Sequence, residues 1–229
     1  MRIIDFHAHI LPCVDHGSDG ITTSLYQLEL ARQASVDTVF STSHFYPHKH
    51  SLSLFLEKRN EAYRLLTEKK PDIDIRLGAE VLLCVGLDRL EGLKELCLYG
   101  SDTILLELPF NEYSDRYAET VENMLAGGFD VVLAHADRYK EEIIDELISL
   151  GVTIQLNASS LSRLFKRKRL FDWIDMGVVV GIGSDIHMRD KNAYKHFLRA
   201  KSKIGKTAFS DIMQKSNLIF EKTKPYICE

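Results

Sequence analysis

Short apolar runs rich in valine and isoleucine recur along this chain of 229 residues, each followed by a longer stretch whose apolar positions are spaced as on a helix face. That alternation predicts an α/β fold, a parallel sheet with crossover helices. Seven strands are expected, at Ile3 to Phe6, Thr38 to Ser41, Ile73 to Leu77, Thr103 to Leu106, Asp130 to Ala134, Val152 to Leu156 and Val178 to Ile182. Thr22 or Thr23 can cap a first helix running to about Ser35, with Leu25, Leu28, Leu30 and Ala31 as its inner face. Further helices are expected at Ser51 to Lys69 before Pro71, Leu87 to Leu98, Asp115 to Ala126, Lys140 to Leu150 and Ser160 to Met176, with two more from Lys191 onward. Several stop at glycine, as helix C-termini often do. With 45% hydrophobic residues and no linker, low-complexity tract or repeat, residues 1–229 are expected to form one domain.

Charge and cysteine content narrow the function. A net charge of -4 and a pI near 6.1 argue against a nucleic-acid-coating protein. No signal-peptide core or bilayer-length apolar run is present, so a cytoplasmic protein without membrane insertion is expected. Cys13, Cys84, Cys97 and Cys228 are widely spaced, which suits reduced thiols rather than a disulfide framework. None has an arginine six positions on, so a cysteine-nucleophile phosphatase loop is absent.

The chemistry sits at the strand ends. The first strand runs into His7-Ala8-His9, with His16 seven residues on; the second is followed by His44, the third by Glu80 and the fourth by Glu107. The fifth leads to His135-Ala136-Asp137-Arg138, the sixth to Asn157, and the seventh to Ser184-Asp185-Ile186-His187. In a parallel barrel those ends share one face, where such folds build their sites. Any one of these residues has an ordinary reading as a cap or loop polar group. Six of seven strand ends carrying His, Asp or Glu do not. So many titratable groups in one place repel one another unless cations neutralise them, and imidazole with carboxylate and no thiolate suits Mn, Fe or Zn.

These motifs resemble those of the PHP (polymerase and histidinol phosphatase) metallophosphoesterases. They are most similar to the manganese-dependent protein-tyrosine phosphatases of bacterial capsule and exopolysaccharide synthesis. The carrying stretches are D-F-H-A-H-I-L-P-C-V-D-H-G, S-T-S-H, L-G-A-E, L-L-E-L, A-H-A-D-R-Y, Q-L-N-A-S-S and G-S-D-I-H, in the family's order from Asp5 to His187. The resemblance implies a distorted seven-stranded (β/α) barrel of TIM-like type and three divalent ions, manganese first, iron or zinc as alternatives. It implies His7, His9, Glu80 and Asp185 at one ion, Glu80, Glu107 and His135 at a second, and His44, His187 and the residue before Gly17 at a third. Capsule phosphatases read V-D-D-G there, whereas this chain reads Val14-Asp15-His16-Gly17, so His16 is the expected ligand and Asp15 the alternative.

The implied activity is phosphomonoester hydrolysis by metal-activated hydroxide, with Glu80 and His135 essential. Arg138 is expected to clamp the phosphate, its alternative being a surface ion pair. The implied partner is a phosphotyrosine protein or peptide, the tail of a bacterial tyrosine kinase. Asn157 either contacts substrate or caps the following helix. His48 and His50, with Lys49, are candidates for the pocket mouth, and Asp5 for orienting a ligating imidazole. The basic run Lys166 to Arg169 is either a solvated helix face or an attractor for an acidic tail. Three rival readings remain: a phosphatase for small phosphomonoesters such as histidinol phosphate, an amidohydrolase-like barrel, and a non-enzymatic metal-binding regulator of the kinase.

Overall fold

The computed structural model describes residues 1–69, 71–109, 113–163 and 168–227. The strands are β1 (Ile4–Ala8), β2 (Thr38–Ser41), β3 (His44–Phe45), β4 (Asp74–Leu77), β5 (Glu80–Leu82), β6 (Thr103–Glu107), β7 (Asp130–Leu133), β8 (Thr153–Asn157) and β9 (Val179–Gly183). All pair in parallel, as β1-β2-β4 and β3-β5-β6-β7-β8-β9. Two-residue breaks separate β2 from β3 and β4 from β5. Across the breaks the ladder continues, with the N–H of Gly78 donating to the Ser41 carbonyl (2.9 Å) and that of Glu80 to the Ser43 carbonyl (3.1 Å). The described residues therefore form seven staves, at the places the apolar runs predict.

The last stave comes back to the first. The N–H of Asp185 donates to the His7 carbonyl at 2.8 Å and that of His9 to the Ile186 carbonyl at 3.3 Å. Glycines make that approach possible: a Cβ on Gly181 would lie 2.3 Å from Cγ of Phe6, and one on Gly183 would lie 2.6 Å from Cβ of His7. Phe6 and His7 are consecutive, yet both face this glycine pair, because the pairing of β1 with β2 slips between Asp5 and Ala8. Such a bulge breaks the strict alternation of faces. It lets β1 contribute Ile4 and Phe6 to an apolar plug and then turn His7 and His9 onto the site. The plug joins Ile4, Phe6, Phe40, Leu105, Val132, Ala134 and Val180 from staves all round the ring. Burying a side chain the size of Phe6 is worth roughly 1.5–3 kcal/mol.

The helices are α1 (Ile21–Gln33), α2 (Leu52–Thr67), α3 (Asp115–Ala126), α4 (Glu141–Ser149), α5 (Ala158–Leu161), α6 (Lys168–Asp175), α7 (Ala193–Ile204) and α8 (Lys206–Lys222). Three expectations are corrected. Leu87 to Leu98 is not a helix but two 3-10 turns, Leu87–Arg89 and Leu93–Leu96, each preceded by a glycine at positive φ (Gly86, 84°; Gly92, 79°). Such left-handed backbone interrupts the regular helical path. Ser160 to Met176 resolves into the short α5 and, later, α6; Leu164, Phe165, Lys166 and Arg167 lie outside the described residues, as does Cys228. In α1 the position before the helix is Gly20, and the buried face carries Thr23, Ser24 and Gln27 alongside Leu28 and Ala31, while Leu25 and Leu30 are half-buried. No helix among the described residues is long and apolar enough to cross a membrane.

Candidate metal centre

Residues placed by the ends of β1, β6, β7 and β9 and the starts of β3 and β5 converge on one buried cluster. His7 Nε2 and His9 Nε2 face each other at 2.9 Å. Both lie 3.3 Å from Glu80 Oε2, and Asp185 Oδ1 is 3.8 and 3.6 Å from them. The other oxygen of Glu80 is 2.6 Å from His135 Nε2, which lies 3.6 Å from Glu107 Oε1. His44 Nδ1 lies 2.9 Å from Glu80 Oε2 and 3.8 Å from Glu107 Oε2. Glu80 thus stands between the groups, fully buried. His135 (φ 34°) and Asp185 (φ 51°) hold left-handed backbone, an uncommon conformation for residues other than glycine.

Groups behind the imidazoles fix which ring nitrogen faces inward. Gln155 Oε1 only accepts, so at 3.1 Å it requires the proton of His7 to sit on Nδ1. Asp15 Oδ2 does the same for His9 Nδ1 at 2.8 Å. Tyr139 donates its hydroxyl proton to the Leu108 carbonyl at 3.2 Å and accepts from His135 Nδ1, also at 3.2 Å. Each imidazole is left with its Nε2 lone pair aimed at the cluster. This is the way histidine is presented to a metal.

The residues fit divalent ions on their own geometry. Two lone pairs facing at 2.9 Å beside two carboxylates need a positive charge among them. His44 Nδ1 and Glu80 Oε2 are close but not aligned for a hydrogen bond, and both, like His187 Nε2, are buried polar atoms without a hydrogen-bond partner. Ligand atoms lie within metal-holding distance of one another in three triads: His9-His44-His187, His7-His9-Asp185 and His44-Glu80-Glu107.

Electrostatics are set by the same crowding. Burial works against charge on Glu80, but His7, His135 and His44 hold its carboxyl well below the usual range. Burial and the Glu80 carboxylate push Glu107 up to about 7. Burial opposes protonation of His9, yet Asp15 and Glu80 outweigh it and raise its pKa well above the ordinary value. Burial, then His9, brings His187 down to about 4, so its imidazole is neutral at pH 7.

His16 is exposed, but its ring stacks on His44 (centroids 4.9 Å) and His187 (4.5 Å), so it joins the cluster. Asp15 is otherwise engaged: it accepts from His9 and from the N–H groups of Gly17 and His44. Gln27 donates to the carbonyls of Gly17 and Met188, both at 2.9 Å, tying the loop of His16 to that of His187. A Cβ on Gly17 would lie 2.0 Å from that of His9. Arg138 pairs with Asp185 at the rim, 39% of its side chain exposed. Asn157 stands at the N-cap position of α5 but its side chain makes no capping bond; it donates to Asp185 Oδ2 at 3.1 Å, while Asp137 accepts from its N–H. Asp5 touches no imidazole: it accepts from the N–H groups of His7 and Ser184 and from the Tyr194 hydroxyl, pinning the β1–β9 seam. His48 is exposed, 6.3 Å from the Tyr46 ring and away from the triads.

Gln155, Gln27 and Tyr139 are the residues that the sequence reading passes over. Gln155 and Tyr139 did carry a signal, since they stand within the stretches Q-L-N-A-S-S and A-H-A-D-R-Y, and Gln155 lies two before Asn157 on one face of β8.

A family model described as capsular polysaccharide synthesis, CpsB/CapC, matches residues 3–223. The chain belongs to this family. Within the CpsB/CapC family it is 24% identical over 197 residues to the tyrosine-protein phosphatase YwqE of Bacillus subtilis (strain 168), covering 81% of this chain and 77% of that one. The fold superposes with a TM-score of 0.78, at 18% identity and over 98% and 96% of the two chains, on a structure from work on B. subtilis YwqE and Streptococcus pneumoniae CpsB, described as metal-dependent tyrosine phosphatases. A. niger ochratoxinase shares it more loosely, with a TM-score of 0.52 at 11% identity over 97% and 71% of the chains. These structural likenesses carry the fold: parallel staves with helices outside, in a distorted (β/α) barrel.

Proposed function

We propose that this CpsB/CapC-family chain is a metal-dependent protein-tyrosine phosphatase acting in the cytoplasm on the phosphorylated tail of a bacterial tyrosine kinase of capsule or exopolysaccharide synthesis. The observation that carries the reading is Glu80, whose two oxygens face two different sets of imidazoles, in a chain related to a tyrosine-protein phosphatase. His7, His9, Glu80 and Asp185 would hold one ion, Glu80, Glu107 and His135 a second, and His44, His187 and His16 a third, with manganese the proposed metal. Bound there, divalent ions supply Lewis acidity and a water of lowered pKa.

The chain's own side chains supply position and charge. Arg138 stands at the rim with a planar, permanently charged guanidinium suited to two phosphate oxygens, and its pairing with Asp185 holds it ready. Asn157 keeps Asp185 turned inward from the other side. Gln155, Asp15 and Tyr139 keep the Nε2 lone pairs of His7, His9 and His135 inward throughout turnover.

The test is hydrolysis of a phosphotyrosine peptide by chelator-stripped protein, before and after reloading with manganese, iron or zinc. Turnover restored by metal is expected. A higher kcat/KM on histidinol phosphate than on the peptide overturns the substrate, and loaded protein inactive on both overturns the enzyme.

A further inference from the structure

The loop after β3 separates the metal centre from a second cavity. His44 stacks on Tyr46 with ring centroids 5.2 Å apart, and Tyr46 in turn lies 5.4 Å from His50. The loop is held by its own bonds: the N–H groups of Lys49 and His50 donate to the Tyr46 carbonyl at 2.9 Å, and the N–H of Tyr46 donates to His50 Nδ1 at 3.1 Å. His50 lies parallel to Phe55 at 6.3 Å, which anchors the turn on α2. Beyond it opens a cavity of about 200 Å3 lined by Val14, Lys49, His50, Ser51, Leu54, Phe55 and Lys58.

Its chemistry is two-sided. Val14, Leu54 and Phe55 give it an apolar floor, and Leu54 is 66% exposed. Lys49 and Lys58 stand on its walls and no carboxylate lines it. Lys58 also donates to the Val14 carbonyl at 3.1 Å, fastening the cavity to the loop that carries His16. An apolar floor beneath two ammonium groups is complementary to a peptide with an apolar and an acidic residue side by side.

Two ring-to-ring steps separate the cavity edge at His50 from His44. An extended peptide advances roughly 3.3–3.6 Å per residue, so a chain with its phosphotyrosine at the metal centre reaches the cavity in about three residues. We propose that this cavity is a substrate subsite, taking an apolar side chain with an acidic neighbour about three residues from the phosphotyrosine. The subsite rests on the phosphatase reading for the identity of its ligand.

The test uses manganese-loaded protein and two fluorescein-labelled peptides with a non-hydrolysable phosphonate in place of phosphotyrosine. One carries Glu and Leu two and three residues to either side, the other serines there. Wild-type protein is expected to bind the first at least tenfold more tightly. Lys49→Glu and Leu54→Asp, both exposed positions, should each remove most of that preference while turnover of 4-nitrophenyl phosphate stays within twofold. Equal affinity for the two peptides, or a preference untouched by both substitutions, overturns the subsite. A preference that persists in protein unable to hydrolyse any phosphomonoester supports the subsite and rejects the phosphatase reading alone.

Discussion

Oε1 of Gln155 lies 3.1 Å from Nδ1 of His7 and also accepts the backbone N–H of His135 at 2.7 Å, so one uncharged side chain positions histidines from two staves. Its Nε2 is spent on Asn157 Oδ1, which fixes the orientation of the amide. Gln155→Leu keeps the volume and removes the acceptor. The variant should fold, lose about 1–3 kcal/mol of stability and bind manganese roughly 10–100-fold more weakly. Metal titration against a competing chelator measures this; unchanged affinity would show that His7 needs no such partner.

Closure of the β9–β1 seam depends on the absence of two side chains. Gly183→Ala would set a methyl 2.6 Å from Cβ of His7, and Gly181→Ala would set one 2.3 Å from Phe6. Overpacking of this kind destabilises by about 1–3 kcal/mol, or roughly 2–4 °C of Tm per kcal/mol at this size. Gly20→Ala, with nothing within 4 Å, is the control and should shift Tm by less than about 2 °C. Thermal melts of the three variants that rank in any other order would contradict the seam geometry.

Ion uptake should release protons in a pH-dependent way. Below its raised pKa of about 7, Glu107 carries a proton that a metal must displace; above it the carboxylate is already free. Apparent affinity therefore rises most steeply below about pH 7 and goes on rising more gently above it, where His9 with its raised pKa still has a proton to give up, and more protons leave at pH 6 than at pH 8. Calorimetry in buffers of different ionisation enthalpy reads the count directly. The same count at both pH values would be the contrary result.

The thiols should differ sharply in reactivity. Cys97 is buried, and burial, then Asp102, raises its pKa to about 12, whereas Cys13 is exposed. Iodoacetamide at pH 8 should label Cys13 within minutes and leave Cys97 unmodified until the protein is denatured. Peptide mass spectrometry distinguishes the two sites, and early labelling of Cys97 would mean that the 3-10 turn Leu93–Leu96 opens readily.

The seven staves were legible because each is a compact apolar run, and the cluster was legible because its histidines and carboxylates sit within a few residues of stave ends. What stayed hidden depends on contacts distant in sequence. Gln155 reads as one polar residue in a strand until His7, 148 positions away, is set beside it. Asp15 reads as the alternative to His16 because of its neighbours, and in space it instead backs His9 and closes the turn at Gly17. The stretch from Leu87 to Leu98 keeps helical spacing, but the left-handed backbone of Gly92 divides it. The consecutive inward Phe6 and His7 need a bulge that periodicity cannot announce.

The candidate ligands run from His7 near the start of the chain to His187 in its last quarter, and Asp185 reaches them only when its N–H bonds to the His7 carbonyl. A nascent chain still lacking β9 has neither the seam nor its inward carboxylate. Of the proposed ion sets, only those that use Asp185 and His187 wait for that closure; Glu80, Glu107 and His135 all precede β9 in the chain.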